Sequence, residues 1–243
     1  MSSDHQSHDT TSDHHTSDGT ADASSTLGFT DDFKNLLQAD QLFFAELDPL
    51  NNSGAEGAAF LALNGTKLTV ITAATGVEPG QVHPQHIHGF KDGDESNVPT
   101  LRQDDDTDGF VELTEGEESY GPVLLDLTSP PNSGLPGFPT PSGGSFVFIE
   151  TYDLSDPASG SLANLLLEVP LEDREIVLHG ITLAQGQGET NALSSDPNEA
   201  DGTAGYKAVL PIASGEIQVF SPEDGLLSVL TAFAFGQSNE LLA

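Results

Sequence analysis

The chain has 243 residues, with 39 Asp and Glu against 6 Lys and Arg, a formal net charge of −33. A surface so short of cations cannot displace counterions from phosphates, which argues against nucleic-acid binding, and an anionic membrane surface would repel it for the same reason. No apolar run reaches the ~18 residues of a membrane-spanning helix, and the lack of cysteine excludes disulfides, thiolate metal sites and a cysteine nucleophile.

The 36% hydrophobic content is sufficient for a core in a chain of this length. Unbalanced carboxylates repel one another and strain a compact state unless salt screens them. The acid excess therefore reads as adaptation to a high-salt milieu, with ion capture and plain solubility as alternatives.

Residues 1–28 are rich in Ser, Asp, Thr and His and nearly free of apolar side chains. Such a segment cannot bury enough surface to offset its ordering entropy, which predicts a disordered tail. It has neither the basic n-region nor the apolar h-region of a signal peptide. That reading suits a cytoplasmic chain if Met1 is the true start, and an external one if a signal was removed before it. His5, His8, His14 and His15 read as a loose metal-gathering tail or as ordinary solvated residues.

From Phe29 onward the pattern is that of one domain, residues 29–243. Residues 30–37 predict a short capped helical turn. Short apolar runs follow at 42–47, 57–63, 67–75, 123–127, 145–152, 162–169, 175–181 and 206–212, punctuated by Gly, Pro, Asn and Asp. Asn64-Gly65 between two of them predicts a two-residue hairpin turn, because both turn positions favour positive φ. Repeated short strands without helical periods predict an all-β antiparallel sandwich or barrel. Residues 226–235 suit a helix or a last strand equally.

Residues 104–115, Asp104-Asp-Asp-Thr-Asp-Gly-Phe-Val-Glu-Leu-Thr-Glu, match the twelve-residue calcium template. Asp104, Asp106 and Asp108 take positions 1, 3 and 5, Gly109 the turn, Phe110 the carbonyl at 7, and Glu115 the bidentate acid at 12. This resembles an EF-hand loop, although Pro99-Thr-Leu-Arg is short for an entering helix and Gly116 follows Glu115 directly. The expectation is a lone structural calcium loop between β-strands; the alternative is one more solvated acidic loop.

Outside the tail only His83, His86, His88 and His179 remain. On a strand, residues two apart share a face, so His86 and His88 project together and can chelate copper or zinc. His179 closes an apolar run and needs partners for its ring nitrogens. Structural histidines on an exposed strand or in the core are the bland alternative.

Ala73-Ala-Thr-Gly-Val-Glu-Pro-Gly-Gln-Val-His-Pro-Gln-His-Ile-His-Gly resembles the copper-binding strand of the Cu/Zn superoxide dismutases, which carry His-x-x-His-x-His. It equally resembles the CHRD domain, a related β-sandwich module with a recurrent Ala-His-Ile-His-Gly. Phe43-Phe-Ala-Glu-Leu, residues 55–63 and residues 67–75 match the opening strands of both. Residues 174–179 resemble the dismutase strand bearing the last copper histidine. Thr203-Ala-Gly-Tyr-Lys-Ala-Val resembles the segment with its active-site arginine.

The resemblance, over residues 42–220, implies a Greek-key β-sandwich or flattened barrel with copper at His86, His88 and His179. His83 would support the site from behind or complete it as a fourth ligand, and Lys207 would stand where the dismutase arginine holds the anion. No histidine lies between His88 and His179, so the bridging and zinc-loop histidines of the dismutases are absent. A flexible lysine also replaces a planar fork. The expected function is a metal-binding CHRD-like module carrying copper and calcium, with metal ions as partners and the oligomeric state open; the alternative is a copper-only or degenerate dismutase.

Overall fold

A computed structural model describes residues 38–188 and 200–220. The predicted tail, the capped turn at 30–37 and the segment 226–235 lie outside those residues. Among the described residues the strands are β1 (Gln41–Pro49), β2 (Glu56–Asn64), β3 (Lys67–Thr75), β4 (Gln85–His88), β5 (Val123–Asp126), β6 (Ser145–Asp153), β7 (Glu175–Leu183), β8 (Gly205–Glu216) and β9 (Gln218–Val219). All pairings are antiparallel, in the order β5-β4-β7-β8-β1-β2-β3-β6, with β9 on β1.

Two four-stranded halves, β6-β3-β2-β1 and β5-β4-β7-β8, meet at a short seam where Asp48 and Pro49 of β1 pair with Ser214 and Ala213 of β8. Alternation along each strand turns one set of side chains inward. Phe43, Leu47, Leu61, Leu68, Val70 and Phe148 from the first half share one core with Ile87, Leu125, Ile176, Leu178 and Ile212 from the second. This is the sheet-on-sheet packing of a sandwich, so the all-β expectation holds. A small satellite cluster of Phe110, Leu183, Ala200 and Leu210 lies beneath the acidic loop.

Three local expectations change. The β2–β3 hairpin turns one residue later: Asn64 still pairs with Lys67, Gly65 and Thr66 form the tip, and Gly65 alone takes a positive φ, of 58°. Residues 162–169 form turns and a single helical turn, α2 (Leu165–Glu168), instead of a strand. The run lacks β-branched residues before Val169, and Leu162, Ala163 and Leu166 fall at helical spacing so that one side meets the core. A helix, α1 (Leu113–Tyr120), also leaves the acidic loop. Glu112 caps it reciprocally with Glu115, so the loop has the exiting half of a helix–loop–helix; residues 99–103 supply no entering helix.

Candidate metal centre

Ile87 points into the core, so its neighbours His86 and His88 occupy the opposite face of β4. Ile176 and Leu178 do the same on β7, leaving Glu175 and Val177 on the histidine face. At His179 the β7–β8 register slips on both sides, and Gly180 takes φ 108°. A Cβ there would meet the Tyr206 hydroxyl, and its distance to His83 Nδ1 would be 3.1 Å. Only glycine fits, and the resulting bulge re-aims His179 toward β4.

One ring nitrogen from each of His86, His88 and His179 lies within 4.8 Å of the other two. A single ion with nitrogen bonds of about 2 Å closes such a triangle with small ring rotations. His86–His179 ring centroids are 5.0 Å apart, His86–His88 5.6 Å and His88–His179 6.0 Å.

The outer nitrogens fix how each ring faces. His88 Nδ1 donates to Gly121 O at 2.8 Å, and His179 Nδ1 to Val209 O at 2.6 Å. Those bonds put the proton on Nδ1 and leave Nε2 with a bare lone pair. His86 Nε2 lies 3.5 Å from Asp126 Oδ1, its register partner on β5. The inner atoms His86 Nδ1, His88 Nε2 and His179 Nε2 are buried and have no hydrogen-bond partner among the described residues.

Burial favours the neutral form of all three rings. His88 is brought down to about 3, by burial and by the neighbouring His179, against the Gly121 carbonyl. His179 is lowered to about 4 by burial, against the Val209 carbonyl. His86 is held well below the usual range by burial, then by His179 and His88. Tyr120 packs edge-on against His88 at 4.5 Å, and Phe138 against His86 at 5.3 Å. The His86 side chain keeps 15% exposure, whereas His88 and His179 are sealed.

His83 is fully buried behind this face. Its Nδ1 lies 3.0 Å from His179 O and its Nε2 3.0 Å from Glu78 O. Both of its ring nitrogens are thus turned to backbone carbonyls and not to the cluster. Lys207 is buried on β8, and its Nζ bonds Asp201 Oδ1 at 2.5 Å and Thr203 Oγ1 at 3.0 Å. The Lys207 ammonium, and then the hydroxyl and N–H that Thr203 donates to Asp201 Oδ1, hold the Asp201 carboxyl down to about 2.

Asp104, Asp106 and Asp108 bring carboxylate oxygens within 4.8 Å of one another. Asp108 N–H donates to Asp104 Oδ1 and Asp106 Oδ1, Gly109 N–H to Asp104 Oδ2, and Phe110 N–H to Asp108 Oδ1. Glu115 is not gathered with them: its Oε1 accepts from Asp105 N–H at 2.8 Å and its Oε2 from Glu112 N–H at 2.9 Å. Burial raises Asp108 to about 6 and Glu112 to about 7, with neighbouring carboxylates adding to both. Asn51 clamps the loop to β8, accepting from Val111 N–H and donating to Val111 O and Pro211 O.

Sequence reasoning found the three clustered histidines and missed the groups that orient them. Asp126 carried a legible signal, as the acidic residue inside the apolar run 123–127. Gly121, Tyr120, Val209 and Phe138 carried none, because only the tertiary fold brings them to the rings.

No protein-family model matches the chain, and no curated protein matches it. Among solved structures it is similar to Candida albicans superoxide dismutase 5. The Cu(II) form has 13% identity and a TM-score of 0.37, over 74% of this chain and 93% of that one. One point mutant of the same protein has 14% identity and a TM-score of 0.37, over 75% and 94%.

Proposed function

We propose that this chain is a copper-binding β-sandwich protein of the CHRD-like kind, with copper held by His86, His88 and His179. One observation carries the reading: three buried ring nitrogens converge without a donor among the described residues. Buried polar atoms are ordinarily partnered, and three converging lone pairs repel unless a cation lies between them. Protonating a ring would supply a donor, but burial opposes it. Neutral imidazoles suit a first-row transition ion, and copper(II) stands highest in the divalent affinity order.

When bound, copper supplies one-electron chemistry. The chain's own contribution is to hold two rings by backbone carbonyls, to keep water from His88 and His179, and to leave the edge of His86 as the approach. The acidic loop is read as a structural calcium site that Asp104, Asp106 and Asp108 would hold, with the Phe110 carbonyl and Glu115 as the further oxygen donors of the template. The remaining acids are read as high-salt adaptation.

A copper-only dismutase is the second reading, favoured by the partial exposure of His86. Against it, Lys207 is engaged by Asp201, and the charge of −33 gives superoxide no general attraction. The test is metal analysis of untagged protein purified without chelators, followed by superoxide consumption after copper loading. One copper per chain, lost in His88→Ala and His179→Ala, with no rapid turnover is the expected result. Rapid turnover abolished by His86→Ala moves the assignment to a dismutase, and absence of copper uptake removes both readings.

A further inference from the structure

The first half of the sandwich is apolar on both faces. Phe43, Leu61, Val70 and Phe148 turn into the core, so the period of two sends Phe44, Phe60, Ile71 and Ile149 to the outside. Register aligns these residues in one row across β1, β2, β3 and β6. Ala62 and Thr69 border the row on one side, and Ala58, Ala73 and Val147 on the other. The charged residue in this block is Glu46, opposite Ala58. An antiparallel sheet that faces water on one side alternates apolar with polar residues. In a chain with 39 acids, an outer face this poor in charge marks an interaction surface.

Chain beyond β9 is led onto that face. Phe220 N–H donates to Leu42 O at 2.8 Å, and the Phe220 ring packs edge-on against Phe60 at 5.7 Å. Phe60 is 3% exposed there, whereas Ile71 and Ile149 are half-buried and Val147 keeps 50% exposure. Residues 226–235, Leu-Leu-Ser-Val-Leu-Thr-Ala-Phe-Ala-Phe, carry no charge and match the face in chemistry. The run is half the ~20 residues that cross a bilayer, a length that suits burial against protein. Residues 221–225 reach up to about 17 Å from Phe220. The steps from β1 to β6 span about 14 Å, and residues 226–235 coiled as a helix would span about 15 Å. Residues 30–37, which precede β1, carry Asp31, Asp32 and Lys34 and suit an uncharged face less well.

We propose that residues 226–235 dock on the outer face of β1-β2-β3-β6, over Phe44, Phe60, Ile71 and Ile149, as a third layer of the sandwich.

The experiment follows amide hydrogen exchange of the full chain. Residues 226–235 are expected to exchange at least about tenfold more slowly in wild type than in Ile71→Asp, which puts a charge in the middle of the row, while β4 and β7 exchange alike in both. Val147→Asp, at the open border of the row, takes its place if Ile71→Asp unfolds the sandwich. Exchange at 226–235 that a folded variant leaves unchanged overturns the proposal. The chain has no cysteine, so Leu230→Cys accepts a single benzophenone label. Irradiation is expected to join position 230 to β2, β3 or β6 of the same chain. Joined dimers would assign the face to a second copy, and crosslinks elsewhere or none at all would place the segment off it; either result overturns the proposal.

Discussion

Glu175 gives the protein a pH dependence opposite to that of ordinary acid denaturation. The residue is fully buried on β7, in register with His88 on one side and Glu216 on the other. Ser214 Oγ donates to its Oε1, and Oε2 has no partner among the described residues. Burial, reinforced by Glu216, raises its pKa from 4.5 to about 9. Between those values the native state holds a proton that the unfolded state has released. The stabilisation is complete below the unfolded value and is lost as pH rises toward the native one.

The slope is ~1.4 kcal/mol per pH unit for one proton. From pH 5 to pH 8 that amounts to about 4 kcal/mol, a large part of the ~5–15 kcal/mol stability of a typical domain. Glu175→Gln keeps the volume and the acceptor for Ser214 while removing the titration. Denaturant unfolding of both proteins, in chelator at pH 5, 6, 7 and 8, is the assay. The stability difference, variant minus wild type, is expected to climb by ~1.4 kcal/mol per unit. A difference independent of pH would refute a neutral buried Glu175.

Three further outcomes follow from other contacts. Asp126→Leu should loosen His86 and weaken copper binding by ~10–100-fold, the usual cost of losing an outer-shell partner, whereas Asp126→Asn should retain most of it because the amide oxygen still accepts; copper titration of both compares them. Gly215→Ala places a Cβ against the Glu46 carbonyl oxygen where β8 meets β1. It should cost about 1–3 kcal/mol in denaturant unfolding, and an unchanged midpoint would mean that the seam has slack. Finally, dilution from molar to millimolar salt near neutral pH should unfold the wild-type chain if its −33 charge is a high-salt adaptation; a circular-dichroism signal constant across that range would reject the adaptation.

Much of the sandwich was legible from sequence. Short apolar runs bounded by Gly, Pro, Asn and Asp marked β1, β2, β3, β5, β6, β7 and β8, and the spacing of His86 and His88 by two put both rings on one face of β4. The run at 162–169 was misread because apolar content alone does not separate a short buried helix from a strand. The helix α1 escaped because its acidic sequence has little apolar period; its start is set by the Glu112–Glu115 capping box and its end by Gly121 at φ 75°. The acidic template named Asp104, Asp106 and Asp108, whose carboxylates do lie together, while Glu115 is turned to backbone N–H groups.

Sequence by itself determined the charge, the strand-forming segments and the types of ligand the chain can offer, since these depend on composition and local period. Tertiary structure decided which atoms meet. His179 stands 91 positions beyond His88 (179 − 88), and only the β4–β7 ladder, with the bulge at Gly180, brings a ring nitrogen of each within 4.8 Å of the other. The tautomers are likewise set by carbonyls of Gly121 and Val209, remote in sequence from the rings they hold. The same holds for the charge of −33: its sum is a property of composition, but burial keeps Glu175 neutral and encloses Arg174 with its Nε and Nη2 unpartnered among the described residues.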